Sequence, residues 1–204
     1  MSNITPFHGH AYDPPTRAVH AIQYWTEFQE DHANELEGGK NFPDTVAGQA
    51  HYEGTDVWSE TPPADGLILS GGRSDIRKKL NYTDQQLKEE GKQPWPRISV
   101  KASQELTIKW KYTAPHPTRG YIAFITKDGW DPSAPVTRSQ LEEKPFFEDV
   151  YTEAPYWSYP LPAKDEHKLI IPAGKSGYHV VVLIWLVADT GNAFYQTYDL
   201  DISA

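Results

Sequence analysis

Leu106-Thr107-Ile108-Lys109-Trp110-Lys111-Tyr112 decides the fold. Apolar side chains at every second position, with Thr or Lys between them, follow the period of a strand that turns one face to a core and the other to water. Gly120-Tyr121-Ile122-Ala123-Phe124-Ile125-Thr126 reads as the next strand, with Lys127-Asp128-Gly129 as a turn. Lys168 to Pro172, Tyr178 to Ala188 and Ala193 to Ile202 read as three more, separated by Gly, Pro, Asn and Asp. This spacing predicts a mostly β protein, an antiparallel β-sandwich of immunoglobulin or fibronectin III character.

Before Pro96 the pattern is different, and residues 19–95 read as a large loop-helical insertion in the N-terminal half. Ile22 to Asn34 is compatible with helix. Leu36 to Pro43 reads as turn or loop because Gly38-Gly39 and Phe42-Pro43 interrupt regular structure. Asp44 to Asp65 is acidic and proline-containing, hence loop, and Arg73 to Glu90 predicts one or two short helices ending near Gly91. Residues 1–7 are expected to be an N-terminal extension, and 8–204 a single domain.

Composition narrows the function. With 7 Trp, 12 Tyr, 7 Phe, 17 Pro and 14 Gly, the chain is rich in turns and aromatic packing. A net charge of -9 argues against nucleic acid and against anionic membrane surfaces, because both are held by Lys and Arg. Arg77-Lys78-Lys79 is expected to be a solvated helix end. Cysteine is absent, so thiolate chemistry and disulfides are excluded. Met1 to Phe7 lacks the charged and apolar regions of a secretory leader, and Val180 to Ala188 is too short to span a bilayer. Neither His-Glu-x-x-His, Gly-x-Ser-x-Gly nor Gly-x-Gly-x-x-Gly occurs. Ala173-Gly174-Lys175-Ser176 reads as a hairpin turn.

Three stretches carry chemistry. His8-Gly9-His10, with Pro14-Pro15 close behind, describes a short irregular segment bearing two imidazoles, the commonest protein metal ligands. His116 lies between Pro115 and Pro117 at a strand end, where a stiff loop fixes the direction of a ligand. Phe194 and Tyr195 point to opposite faces of the last strand, one toward the core and the other toward a site.

Together with Pro63-Ala64-Asp65-Gly66, Thr113-Ala114-Pro115-His116, Phe124 to Asp131, Ser176 to Val180 and Asn192-Ala193-Phe194-Tyr195-Gln196, these stretches resemble the bacterial chitin-binding proteins classed as lytic polysaccharide monooxygenases of auxiliary activity family 10. The resemblance implies a copper site, the histidine brace, in which an N-terminal histidine binds through its amino group and its ring and a second histidine completes a T of three nitrogens. By match, His8 and His116 take these places as metal ligands. Phe194 falls beside the axial position, Ala114 shapes access to it, and Glu37 matches a carboxylate that positions the bound oxygen species. Asp189, Asn192 and Thr113 fall on the flat substrate face, and Tyr24 and Trp25 lie either on that face or in packing. His10 is read as structural.

The implied reaction is oxidative cleavage of crystalline chitin, with cellulose as the alternative polymer. It would be fed by an external electron donor and by oxygen or peroxide, in a monomer that works outside the cell. With no leader in view, cytoplasmic production with release by another route stays open. The Phe7-His8 peptide bond makes the His8 nitrogen a planar amide and a poor ligand, so the brace requires His8 as a free amino terminus. Untrimmed, the chain would be a non-catalytic chitin-binding or surface-interaction protein, including a toxin or virulence accessory.

Overall fold

The computed structural model describes residues 8–49, 57–114, 116–151 and 162–204. The extension at 1–7, Pro115 and part of the 44–65 loop lie outside these residues.

Two sheets face each other. One is three-stranded, in the order β1 (Gly9–Asp13), β4 (Glu105–Tyr112), β7 (Glu166–Ile170). The other runs β2 (Glu37–Gly39), β9 (Asn192–Ser203), β8 (Gly177–Val187), β5 (Thr118–Ile125), β6 (Phe147–Val150), with β3 (Ile98–Lys101) also on β9. Among the described strands pairing is antiparallel except at β3, which runs parallel to the end of β9. The expected sandwich is present.

The alternation in β4 places Leu106, Ile108 and Trp110 in the core between the sheets. There they meet Tyr121, Ala123 and Ile125 of β5 and Val181, Leu183 and Trp185 of β8. The other face of β5 and β8 is covered too. Ile122, Phe124, Val182, Ile184 and Leu186 pack against Phe42, Ile68 and Leu69 of the insertion. Burial on both faces explains why β5 and β8 read as continuous apolar runs while β4 alternates.

The insertion has a core of its own, formed by Ala18, Ala21, Trp25, Phe28, Leu36, Leu80, Leu87 and Trp95. Its helices are short: α1 (Arg17–Tyr24), α2 (Glu30–Asn34) and α3 (Asp84–Glu89), with a 3-10 turn over Ile76–Asn81. Helix α1 begins earlier than its apolar pattern suggests, because the Thr16 hydroxyl accepts from the Val19 N–H and caps it. A buried ion pair ties the layers together. The Arg17 guanidinium donates to both carboxylate oxygens of Asp199 on β9, at 2.7 and 2.6 Å, and to the Leu80 carbonyl.

Several expectations are corrected. The segment from His8 contains an edge strand, since Gly9 to Asp13 pairs with Tyr112 to Lys109. Glu37-Gly38-Gly39 is strand β2 on the edge of β9. Its glycines serve close packing rather than a turn: a Cβ on Gly39 would lie 1.9 Å from the Glu60 carbonyl oxygen. Ala173 to Ser176 is no hairpin, because β7 and β8 belong to different sheets and the turn crosses the sandwich. Arg77 is buried and holds Asp75 and the Glu35 carbonyl rather than standing in water.

Two measurements test these tethers. Arg17→Met leaves Asp199 buried without its counter-charge and should cost about 3–5 kcal/mol in urea unfolding, with Arg17→Met/Asp199→Leu recovering much of it. His167 lies buried against the Tyr121 ring at 4.0 Å, and burial lowers its pKa from 6.5 to about 4. The unfolded chain therefore takes up the proton first, and stability should fall as pH drops from about 6.5 to 4, by up to roughly 3 kcal/mol. In His167→Phe that part of the slope should vanish.

Candidate metal centre and substrate face

The site is laid out by strand register. Glu37 of β2 stands opposite Phe194 of β9, and Phe194 stands opposite Trp185 of β8, so the three form one row across the end of the sheet. Phe194 is fully buried and stacks on the Trp185 ring at 4.9 Å, and the Trp185 indole N–H donates to the Thr118 hydroxyl at 2.9 Å. This rigid pair is the floor.

Two imidazoles lie above it. The His8 ring is 5.2 Å and the His116 ring 6.2 Å from the Phe194 ring, and the two imidazoles are 6.3 Å apart, centroid to centroid. His8 is fixed through its backbone: its carbonyl accepts from the Thr113 N–H and hydroxyl, both at 2.8 Å, and from the Ala114 N–H at 3.3 Å. The β1–β4 register puts Gly9 opposite Tyr112, which brings residue 8 to this loop. A side chain on Gly9 would collide with the Lys111 carbonyl, at 2.4 Å.

Carboxylates surround the rings. Asp189 Oδ1 lies 3.1 Å from His116 Nδ1 and holds the orientation of that ring. Glu37 Oε2 is 4.0 Å from His8 Nε2, and Glu35 Oε1 is 3.9 Å from His8 Nδ1. Glu37 is held on both oxygens, by Arg73 at 3.2 Å and by the Asn192 amide at 2.8 Å. Burial lowers the His8 pKa below 6.5, against the pull of Glu37 and Glu35 and with the push of His116 and Arg73. The ring is therefore neutral at neutral pH, the form in which an imidazole binds metal.

The sequence-derived residues thus gather at one end of the sandwich: His8, His116, Phe194, Glu37, Thr113, Ala114, Asp189 and Asn192. Thr113 holds the His8 carbonyl and Asn192 holds Glu37, so both have contacts inside the site in addition to any on the face. Trp25 is buried in the insertion core and Tyr24 is exposed, while His10 is buried with Nδ1 2.7 Å from the Asn34 side-chain oxygen. Trp185, Arg73 and Glu35 were not anticipated. Trp185 was hidden in the longest apolar run, where only register marks it as the partner of Phe194.

Among the described residues no three His, Cys, Asp and Glu side chains converge as metal ligands. His8 Nδ1 is buried and makes no hydrogen bond among the described residues, which fits a nitrogen whose partner is a metal ion.

Residues 8–200 match the family described as lytic polysaccharide mono-oxygenase, cellulose-degrading. The chain belongs to this family. A chitin binding domain from Burkholderia pseudomallei superposes with a TM-score of 0.85 at 38% identity, covering 97% of this chain and 100% of that one. A Bacillus amyloliquefaciens CBM33 in complex with Cu(I) superposes with a TM-score of 0.71 at 26% identity, covering 96% and 100%. The AA10 family lytic polysaccharide monooxygenase C of Mycosarcoma maydis is 39% identical over 140 residues, 67% of this chain and 38% of that protein. The chain spans only part of the curated relatives it matches, 29% of the length of one, 27% of another and 38% of a third.

The floor is open to a direct test. Phe194→Ala removes a fully buried ring beneath both imidazoles and should cost about 3–5 kcal/mol in chemical unfolding, and Phe194→Leu markedly less.

Proposed function

We propose that this lytic polysaccharide monooxygenase family member is a copper enzyme that oxidatively cleaves crystalline polysaccharide, with chitin as substrate, once His8 is the amino terminus. The supporting observation is the His8–His116 pair, with ring centroids 6.3 Å apart above a buried Phe194 and a His8 Nδ1 that makes no hydrogen bond among the described residues. Residues 8–204 would act as one domain, outside the cell and as a monomer. The Burkholderia chitin binding domain favours chitin, and the family description keeps cellulose as the alternative.

His8, through its ring and a terminal amino group, and His116, through its ring, would hold the copper. When bound, copper would supply one-electron reduction by an external donor and activation of oxygen or peroxide for hydroxylation of a sugar C–H bond. The chain's own residues do the rest. Asp189 orients the His116 ring, and Thr113 and Ala114 fix the His8 backbone. Glu37, pinned by Arg73 and Asn192, presents a carboxylate beside His8 that can accept or return a proton. Phe194 and Trp185, both fully buried, exclude water from below, and the small side chain of Ala114 would leave room for approach to the copper. No acid–base carboxylate pair of the glycosidase kind is required.

The Phe7-His8 peptide bond supports a second reading for the untrimmed chain, a non-catalytic chitin-binding protein. Copper titration of forms beginning at Met1 and at His8 separates the two. The His8 form should bind Cu(II) at least about 100-fold more tightly, because it gains an amine ligand, and with a reductant it should release oxidised chito-oligosaccharides. Equal weak binding by both forms, with no oxidised product, contradicts the enzyme reading. Glu37→Gln should keep copper affinity within about threefold while lowering turnover by about 100-fold, as expected for a proton-handling carboxylate.

A further inference from the structure

Trp58 is the most exposed tryptophan among the described residues, with 68% of its surface in water, and no described ring or cation stacks on it. A single exposed apolar side chain is ordinary in itself. What distinguishes Trp58 is its mount. The next residue, Ser59, exchanges backbone hydrogen bonds with Gly48 at 2.6 and 3.0 Å, and its hydroxyl accepts from the Asn41 N–H at 2.8 Å. The Glu60 and Lys40 N–H groups both donate to the Gly191 carbonyl. The Trp58 carbonyl oxygen presses so closely on Gly191 that a Cβ there would lie 2.5 Å away.

Gly191 belongs to the loop that supplies Asp189 to His116 and Asn192 to Glu37. Residues 40–41, 48 and 58–60 are therefore built onto the edge of the candidate metal centre, and the Trp58 ring sits on a fixed backbone with no ring or cation among the described residues stacked on it. A pre-positioned indole loses little freedom on stacking. Its surroundings indicate the occupant. Glu60 and Asp189 are exposed, so an anionic partner is disfavoured, while hydroxyl groups could donate to both.

We propose that Trp58 is a stacking subsite for a pyranose ring, which extends the polysaccharide-binding face from the two histidines onto residues 58–60. The apolar C–H face of the sugar would cover the indole, and the carboxylates would meet its rim. This rests on the polysaccharide reading above.

Depletion binding to crystalline chitin and to cellulose, with the form beginning at His8 and without copper, tests it. Trp58→Ala should weaken binding about tenfold and Trp58→Phe only about twofold. Tyr12→Ala, which removes an exposed ring from β1, should change nothing. Quenching by acrylamide provides a second measurement that does not depend on the alanine variant folding: chito-oligosaccharide should shield an exposed tryptophan in the parent and none in Trp58→Phe. Wild-type binding by Trp58→Ala, or equal shielding in Trp58→Phe, overturns the subsite while leaving the polysaccharide reading intact. A parent protein that binds neither polymer and yields no oxidised product overturns both.

Discussion

The carbonyl oxygen of His8 is the point on which the site depends. Three donors from Thr113 and Ala114 converge on it, and the β1–β4 register delivers it there. Because the backbone is held, the imidazole can stay over Phe194 with no hydrogen bond to its buried Nδ1 from any described residue. A buried nitrogen left without a hydrogen bond is costly, and the proposed copper would offset that cost.

The same economy of register organises the rest. One row across three strands, Glu37, Phe194 and Trp185, sets both the floor and the carboxylate of the site. The row exists because β2, though only three residues long, is clamped between β9 and the 60–62 segment by glycines that admit close backbone contact. The insertion is therefore part of the site's construction. It covers the second face of the large sheet, carries Glu35, Glu37 and Arg73, and is fastened to β9 by the buried Arg17–Asp199 pair.

Much of this was legible in the sequence, for physical reasons that also define where legibility ended. The two-residue period of β4 and the apolar runs of β5 and β8 follow from one-sided and two-sided burial, and these strands are where expected. Strands β1 and β2 were not legible, since each is short, irregular in pattern and created by pairing with distant residues. Gly38-Gly39 looks like a turn because glycine's freedom and glycine's lack of bulk leave the same trace. For the site, motifs pointed to His8 and His116, whose rings the fold brings within 6.3 Å, but Arg73, Glu35 and Trp185 meet them only through tertiary contact. Nothing in Arg73's neighbours along the chain points to Glu37, which lies 36 residues away.

The central claim is that His8 and His116 share one ion when residue 8 is terminal. Pulsed electron paramagnetic resonance of the Cu(II)-loaded form beginning at His8, with the imidazole nitrogens isotopically labelled, tests it most directly. The account predicts couplings from two imidazole nitrogens and one unlabelled amine, with one imidazole lost in His116→Ala. A spectrum with a single imidazole, or one unchanged by His116→Ala, would contradict it.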